Sequence, residues 1–251
     1  MTAYARHANK LGKNVAFFSF EIGGVDILRR YIAGQVGLKQ EELIKNRELV
    51  KEAVIDSNLG NFRLIEEKAT LATVDLIRND LEYLKSTGFF PDVVMIDSLN
   101  QLKTSGWRAN NDNEKFERLA EELRDLAKEY EIPFHTVFQT NRSGFLNEIN
   151  DVMSIGKAIE PFQVADMLWT FSQTSEMFEK GECLAALLKN RLGPKNVVLR
   201  CAYDPNMGTF IELEKVSGIL TMNDKERKQV QETATNFREK LKVGGFDKKK
   251  P

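Results

Sequence analysis

Two short, largely apolar runs constrain the fold of this chain more than any other feature of its sequence. Val15 to Phe20 reads VAFFSF, and Val93 to Ile96 reads VVMI and is followed directly by Asp97. Apolar runs of this length are typical of β-strands buried on both faces, as occurs in parallel sheets that helices cover on each side. The sequence therefore predicts a mixed α/β fold built on a mostly parallel, twisted sheet flanked by helices.

The spacing of apolar residues elsewhere predicts the helices and the remaining strands. Helices are expected over 2–11, as a pair within 25–59, over 74–86 and over 113–130. Further strands are expected at 62–65, 134–138, 167–171, 184–189, 197–202 and 210–213. Because the last four follow one another closely, they are expected to extend the sheet with antiparallel strands toward its C-terminal end. Residues 1–222 are expected to form this core, and residues 223–251 a charged helical tail with a disordered end.

Charge and cysteine content narrow the classes of function. The net charge is −1, so contact with nucleic acid would have to come from local loops or from a ring that concentrates basic groups. Cys183 and Cys201 lie within apolar runs without the spacing of metal ligands, which predicts reduced core residues in a cytoplasmic protein. No run of about 18 apolar residues is present, so no membrane span is expected.

Three polar residues follow predicted strands, where ligands bind in open α/β sheets. Asp97 is suited to orient Mg²⁺ or its water shell beside phosphates, although an Asp at this point can also cap the next turn. Glu21 is suited to act as a general base, or only to favour the dipole of a following helix. Gln139 is suited to sense a γ-phosphate, or only to form a turn together with Asn141 and Arg142.

A basic hairpin follows later in the chain, with the sequence Lys-Asn-Arg-Leu-Gly-Pro from Lys189 to Pro194. Strand alternation places Lys189 and Arg191 on the same side of the strand. Two cations presented together are suited to clamp the triphosphate of a neighbouring subunit, with Arg191 as an arginine finger. A solvated basic hairpin is the alternative interpretation.

Taken in order, these segments resemble the ATPase core of DnaB-type replicative DNA helicases over about residues 1–213. The resemblance is carried by four segments: Ser19-Phe20-Glu21, Val93 to Asp97, Phe138 to Arg142, and Lys189 to Pro194. It implies a RecA-like core that uses ATP and Mg²⁺. Glu21 would be the catalytic base, Asp97 the magnesium-associated carboxylate and Gln139 the γ-phosphate sensor, with Lys189 and Arg191 acting in trans.

The resemblance also implies partners. The family's DNA-binding loops correspond to about 98–111 and 142–157, with Arg142, Gly156 and Lys157 as candidates for phosphate contact. A ring hexamer on single-stranded DNA is expected, with a primase or a loader as a further partner.

One motif expected of such a core is absent, because no G-x-x-x-x-G-K-[ST] phosphate-binding loop occurs in the 251 residues. The missing loop and its preceding strand are expected to come from an upstream segment or a second polypeptide, so this chain alone is not expected to hydrolyse ATP. That strand is expected between or beside the strands carrying Glu21 and Asp97. A non-hydrolysing RecA-like structural or loader protein, and a RecA-like recombination ATPase, remain alternatives.

Overall fold

The computed structural model describes residues 1–55, 59–139, 162–194 and 197–216. Six helices and eight strands occur in these ranges. The helices are α1 (Thr2–Lys10), α2 (Gly24–Val36), α3 (Arg47–Ile55), α4 (Val74–Ser86), α5 (Asp112–Tyr130) and α6 (Ser175–Glu179). The strands are β1 (Val15–Ser19), β2 (Phe62–Glu66), β3 (Val93–Asp97), β4 (Phe134–Thr136), β5 (Met167–Ser172), β6 (Glu182–Asn190), β7 (Val197–Asp204) and β8 (Thr209–Val216). Short 3₁₀ turns lie at Gln40–Glu42 and Leu99–Gln101.

The first four strands form a parallel sheet in the order β2-β1-β3-β4. Alternate residues of β1 and β3 enter two different cores. Phe18 and Ile96 pack with α4 and α5 on one face, whereas Phe17 and Met95 pack with α1 and α2 on the other. Because both faces are covered, the two central strands must be apolar at successive positions, which explains the pattern that predicted them.

Local capping fixes where α4 and α5 begin. The Thr73 side chain accepts a hydrogen bond from the Leu76 amide at 3.1 Å at the start of α4. The Asn111 side chain accepts one from the Glu114 amide at 2.9 Å at the start of α5. Such side-chain caps satisfy amides that have no partner within the helix. The helix expected over 74–86 is confirmed at both ends.

The last four strands form an antiparallel sheet in the order β5-β6-β7-β8. Cys183 of β6 lies opposite Cys201 of β7, and both are buried free thiols, as expected. Burial raises the pKa of Cys183 to about 11. Arg6 of α1 links that helix to the turn between β7 and β8, because its guanidinium donates to the Gly208 carbonyl at 2.7 Å.

The α/β architecture is confirmed, but three details differ from the expectations. Within the described ranges the antiparallel strands form a separate sheet, since β4 pairs only with β3 and β5 only with β6. The strand at Phe134 is shorter than expected, and helix α6 was not predicted. No helix in the described part is long and apolar enough to cross a membrane. The tail 223–251 lies outside the described residues.

The expected position of a missing strand is wrong. Residues Val15 to Ser19 of β1 pair directly with Val93 to Asp97 of β3. β1 also pairs with β2, and β3 with β4, so both edges of each strand are occupied. A further strand therefore fits neither between nor beside them. The strand edges without a partner in the described ranges include those of β4 and β5.

Candidate nucleotide site

The carboxyl edge of the parallel sheet brings the first two predicted site residues together. Ser19 and Asp97 are register partners at the ends of β1 and β3, and the Phe20 amide donates to the Asp97 carbonyl at 2.8 Å. Glu21 is therefore the second residue past this point, and its carboxylate accepts a hydrogen bond from the Ser98 hydroxyl at 3.1 Å. The two acidic residues therefore lie at the same edge of the sheet, close enough for the charge of Glu21 to act on Asp97.

The electrostatics of Asp97 are consistent with a site for a divalent cation. Burial raises the pKa of Asp97 above its ordinary value, and the nearby charge of Glu21 raises it further. The Arg30 guanidinium of α2 acts in the opposite direction. A half-buried carboxylate beside a second acid gains stability from a hard cation such as Mg²⁺, which prefers oxygen ligands. The roles of Asp97 as the magnesium-associated carboxylate and of Glu21 as the catalytic base stay predictions.

Gln139 joins the same edge through a side chain that the sequence did not single out. Its backbone amide donates to Asn100 Oδ1 at 2.8 Å, and its carbonyl accepts from Asn100 Nδ2 at 3.2 Å. One step earlier, the Leu99 amide donates to the Val137 carbonyl at 3.0 Å. The Asn100 side chain therefore takes the place of a backbone hydrogen-bonded pair just beyond the last paired residues of β3 and β4. The Gln139 side chain is left exposed at the sheet edge.

The two predicted trans-acting cations lie together at the end of β6. Arg191 donates to the Asp166 carboxylate at 3.0 Å, and Lys189 donates to the Gln163 carbonyl. Desolvation lowers the pKa of Lys189, and the charge of Arg191 lowers it further. In the described residues no hydrogen bond or ion pair joins these cations to Glu21, Asp97 or Gln139. The action of Lys189 and Arg191 on another subunit's nucleotide stays a prediction.

The three residues expected to contact DNA, Arg142, Gly156 and Lys157, lie outside the described residues. In the described part, no cluster of three or more His, Cys, Asp or Glu side chains is arranged to hold a metal ion. A magnesium ion here would therefore depend on Asp97 together with water and phosphate oxygens. Mg²⁺ commonly binds nucleotides in this way, through one or two carboxylates.

The family model for the DnaB-like helicase C-terminal domain matches residues 1–211, which include the whole parallel sheet and both predicted groups of site residues. The chain belongs to the DnaB-like helicase C-terminal domain family. This membership agrees with the resemblance carried by the four sequence segments.

Two replicative helicases are similar to this DnaB-like domain at low sequence identity. It is 21% identical over 218 residues to the replicative DNA helicase DnaB of Geobacillus stearothermophilus. It is 20% identical over 218 residues to the replicative DNA helicase DnaC of Bacillus subtilis (strain 168). Each match covers 83% of the chain and 48% of the relative, so the chain spans about half the length of these proteins.

Solved structures share the fold of this DnaB-like domain. One of them, an ATPase domain, superposes with a TM-score of 0.67 at 19% identity, covering 85% of this chain and 80% of that one. A DnaB-like replicative helicase studied with primase gives a TM-score of 0.67 at 18% identity, and the match covers 85% of this chain and 54% of that one. These likenesses establish the RecA-like fold that the sequence predicted.

Sequence reasoning missed four polar residues that the fold places beside the predicted ones: Arg30, Ser98, Asn100 and Asp166. Ser98 and Asn100 follow Asp97 so closely that their position after a predicted strand was a usable signal. Asp166 stands directly before a predicted strand, which was a signal of its own, whereas Arg30 offered none. The proximity of these two residues to Arg191 and Asp97 depends on how the helices and sheets pack.

Proposed function

We propose that this DnaB-like domain is the motor part of an ATP-dependent replicative DNA helicase, which acts as a ring hexamer and translocates on single-stranded DNA. One observation carries the proposal. Two acids and a backbone-anchored glutamine follow three adjacent parallel strands at one edge of the sheet. Ligands bind at this edge in open α/β sheets, and phosphoryl transfer depends on positioned carboxylates and amides there.

Each side chain has a role that suits its surroundings. Glu21 accepts the proton of the attacking water, and the Ser98 hydroxyl orients the Glu21 carboxylate. Asp97 would hold Mg²⁺, partly through bound water, and the ion would supply positive charge beside the phosphates of ATP. Gln139 donates to the γ-phosphate from the position that Asn100 gives its backbone. Lys189 and Arg191 stabilise the charge that develops on a neighbouring subunit's triphosphate.

The phosphate-binding loop is proposed to come from an upstream segment or from a partner chain. Two observations support this: the motif is absent from the 251 residues, and β4 and β5 each have an edge without a partner strand in the described ranges. A strand that precedes such a loop would find backbone partners at these edges. The chain alone is therefore expected not to hydrolyse ATP.

Contacts with DNA and with other proteins form part of the same proposal. Arg142, Gly156 and Lys157 are proposed to contact the phosphates of single-stranded DNA within the ring. A primase or a loader is proposed as a partner, by analogy with the related helicase studied with primase. We propose a cytoplasmic location, where replication proteins would meet DNA.

A non-hydrolysing RecA-like scaffold is the second candidate, and the absence of a phosphate-loop motif favours it. ATP turnover separates the two functions. The chain assembled with its upstream segment is expected to hydrolyse ATP, faster with single-stranded DNA. Glu21→Gln should lower that rate by about 100-fold or more. The matched control is Glu48→Gln on α3, whose carboxylate pairs with its neighbours Arg47 and Lys51 and should leave the rate unchanged.

Two outcomes would contradict the proposal. An assembly that binds single-stranded DNA but has no turnover sensitive to Glu21→Gln would support the scaffold instead. Turnover by the 251-residue chain alone, abolished by Asp97→Ala, would contradict the need for a separately supplied phosphate loop.

A further inference from the structure

One carboxylate lies among three cations next to the basic hairpin. Asp166, just before β5, accepts from Arg191 at 3.0 Å and from Arg124 of α5 at 3.4 Å. Its charge also acts on Lys189, where it raises the pKa against the stronger lowering effects of desolvation and Arg191. Three positive groups thus lie around this one carboxylate on a partly exposed surface.

The same short segment holds both trans-acting cations through its backbone. The Arg191 amide donates to the Asp166 carbonyl at 2.9 Å. The Gln163 carbonyl accepts from Lys189 and, at 3.4 Å, from the Arg191 guanidinium. Arg191 is therefore fixed at its main chain and at its side chain by the segment 163–166.

Repulsion among the cations explains why a carboxylate is needed here. Arg124, Lys189 and Arg191 would push one another apart, and the long side chain of Arg191 would sample many rotamers. One Asp166 oxygen contacts both arginines, so a single negative charge offsets this repulsion. The guanidinium has five N–H donors, and its contacts with Asp166 and Gln163 leave others available for phosphate oxygens.

We propose that Asp166 is a positioning residue for Arg191: it holds the guanidinium in the orientation in which it meets a neighbouring subunit's triphosphate. This inference rests on the proposed function. Because exposed ion pairs contribute little to stability, the role of Asp166 lies in geometry more than in folding. Its loss should lower kcat of the neighbouring site and leave KM for ATP nearly unchanged, since an orientation that matters in the transition state is lost.

The first test measures, in the purified chain, how far Asp166 restricts the access of a reagent to the Arg191 guanidinium. Labelling with an arginine-specific dicarbonyl reagent, read by mass spectrometry, should rise at Arg191 by about two- to fivefold in Asp166→Asn, as expected when an exposed ion pair is lost. Exposed Arg47 serves as the internal reference. Asp125→Asn is the matched control, because Asp125 is a nearby exposed carboxylate of α5 that pairs with Lys128 instead.

The second test asks whether Asp166 acts in trans, using the assembly that carries the phosphate loop. Asp166→Asn should lower kcat by about 10- to 100-fold, the cost of a misplaced catalytic group. Asp166→Glu should recover part of the rate, and Asp125→Asn should retain it. Asp97→Ala subunits have a disabled site of their own but an intact Arg191. Mixing them equally with Asp166→Asn subunits should restore roughly a quarter of the wild-type rate in a head-to-tail ring.

Each outcome decides a separate question. Unchanged Arg191 labelling, or mixed rings as inactive as their parents, would overturn the positioning role of Asp166. An equal loss of rate in Asp125→Asn would also overturn it, because general charge would then be the cause. If the unsubstituted assembly hydrolyses no ATP, the proposed function fails, and the labelling result alone then decides whether Asp166 holds Arg191.

Discussion

Replacing Asn100 with alanine should free the backbone of Gln139 and leave the rest of the domain folded. The Asn100 side chain exchanges two hydrogen bonds with Gln139, at 2.8 Å to its amide and at 3.2 Å from Asn100 Nδ2 to its carbonyl. Ladder pairing between β3 and β4 ends earlier, at Ile96 and Thr136. Asn100 is therefore the main polar link between the end of β3 and the predicted γ-phosphate sensor.

The geometry sets the size of the effect. An intramolecular hydrogen bond contributes about 0.5–1.5 kcal/mol net, so the two together contribute about 1–3 kcal/mol. Because Gln139 is exposed, water replaces much of what is lost, and the lower end of that range applies. A loss of about 1 kcal/mol in local stability corresponds to roughly fivefold faster opening.

Amide hydrogen exchange measured at Gln139 tests this directly. We expect about fivefold faster exchange in Asn100→Ala, with unchanged protection at Phe17 and Met95 in the sheet centre. Asn100→Asp keeps the acceptor for the Gln139 amide but loses the donor to its carbonyl, so its effect should be smaller. Asn46→Ala is the control, because it removes another partly exposed side-chain hydrogen bond, to the Glu42 carbonyl. Equal exchange at Gln139 in Asn100→Ala and in the unsubstituted protein would refute the reasoning.

Three further predictions concern stability, measured by urea denaturation. Burial raises the pKa of Asp97 in the folded state. The ionised carboxylate therefore lowers the free energy of unfolding at pH values above that pKa, and this loss disappears as the pH falls through it. Asp97→Asn should therefore raise the free energy of unfolding at about pH 7 and bring no gain near pH 4; a loss at about pH 7 would contradict this. Ile77→Ala empties a fully buried position of α4 and should cost about 2–5 kcal/mol, and a cost under about 1 kcal/mol would contradict the packing. Gly34→Ala would place a methyl group against the Arg6 guanidinium and the Met207 carbonyl and should lower the free energy of unfolding by about 1–3 kcal/mol. A higher free energy of unfolding would show that these two groups move aside at little cost.

The sequence predicted the parallel core because its physical requirements are local. A strand covered on both faces must be apolar at successive positions, which made β1 and β3 recognisable. An apolar stripe at helical spacing made α4 recognisable, and a threonine side chain caps its first turn. Glu21, Asp97 and Gln139 could be predicted because each follows a strand, and the ends of parallel strands meet at one edge.

Strand order could not be predicted, because it depends on backbone pairing between segments far apart in the chain. The direct pairing of β1 with β3 excluded the expected place for a missing strand. The antiparallel strands were recognised one by one, but their separation from the parallel sheet depends on which edges pair. Backbone hydrogen-bonding groups are the same in nearly every residue, so they leave little trace of their partners in the sequence.

The sequence by itself determined which side chains are proposed to carry the chemistry, and only the tertiary structure decided which side chains contact them. Asn100 contacts Gln139, and Asp166 contacts Arg191, across separations of 39 and 25 residues. A strand end is a local property that the pattern of apolar residues reveals. A contact between two surface polar groups depends on the relative placement of whole elements, which packing of the apolar core sets.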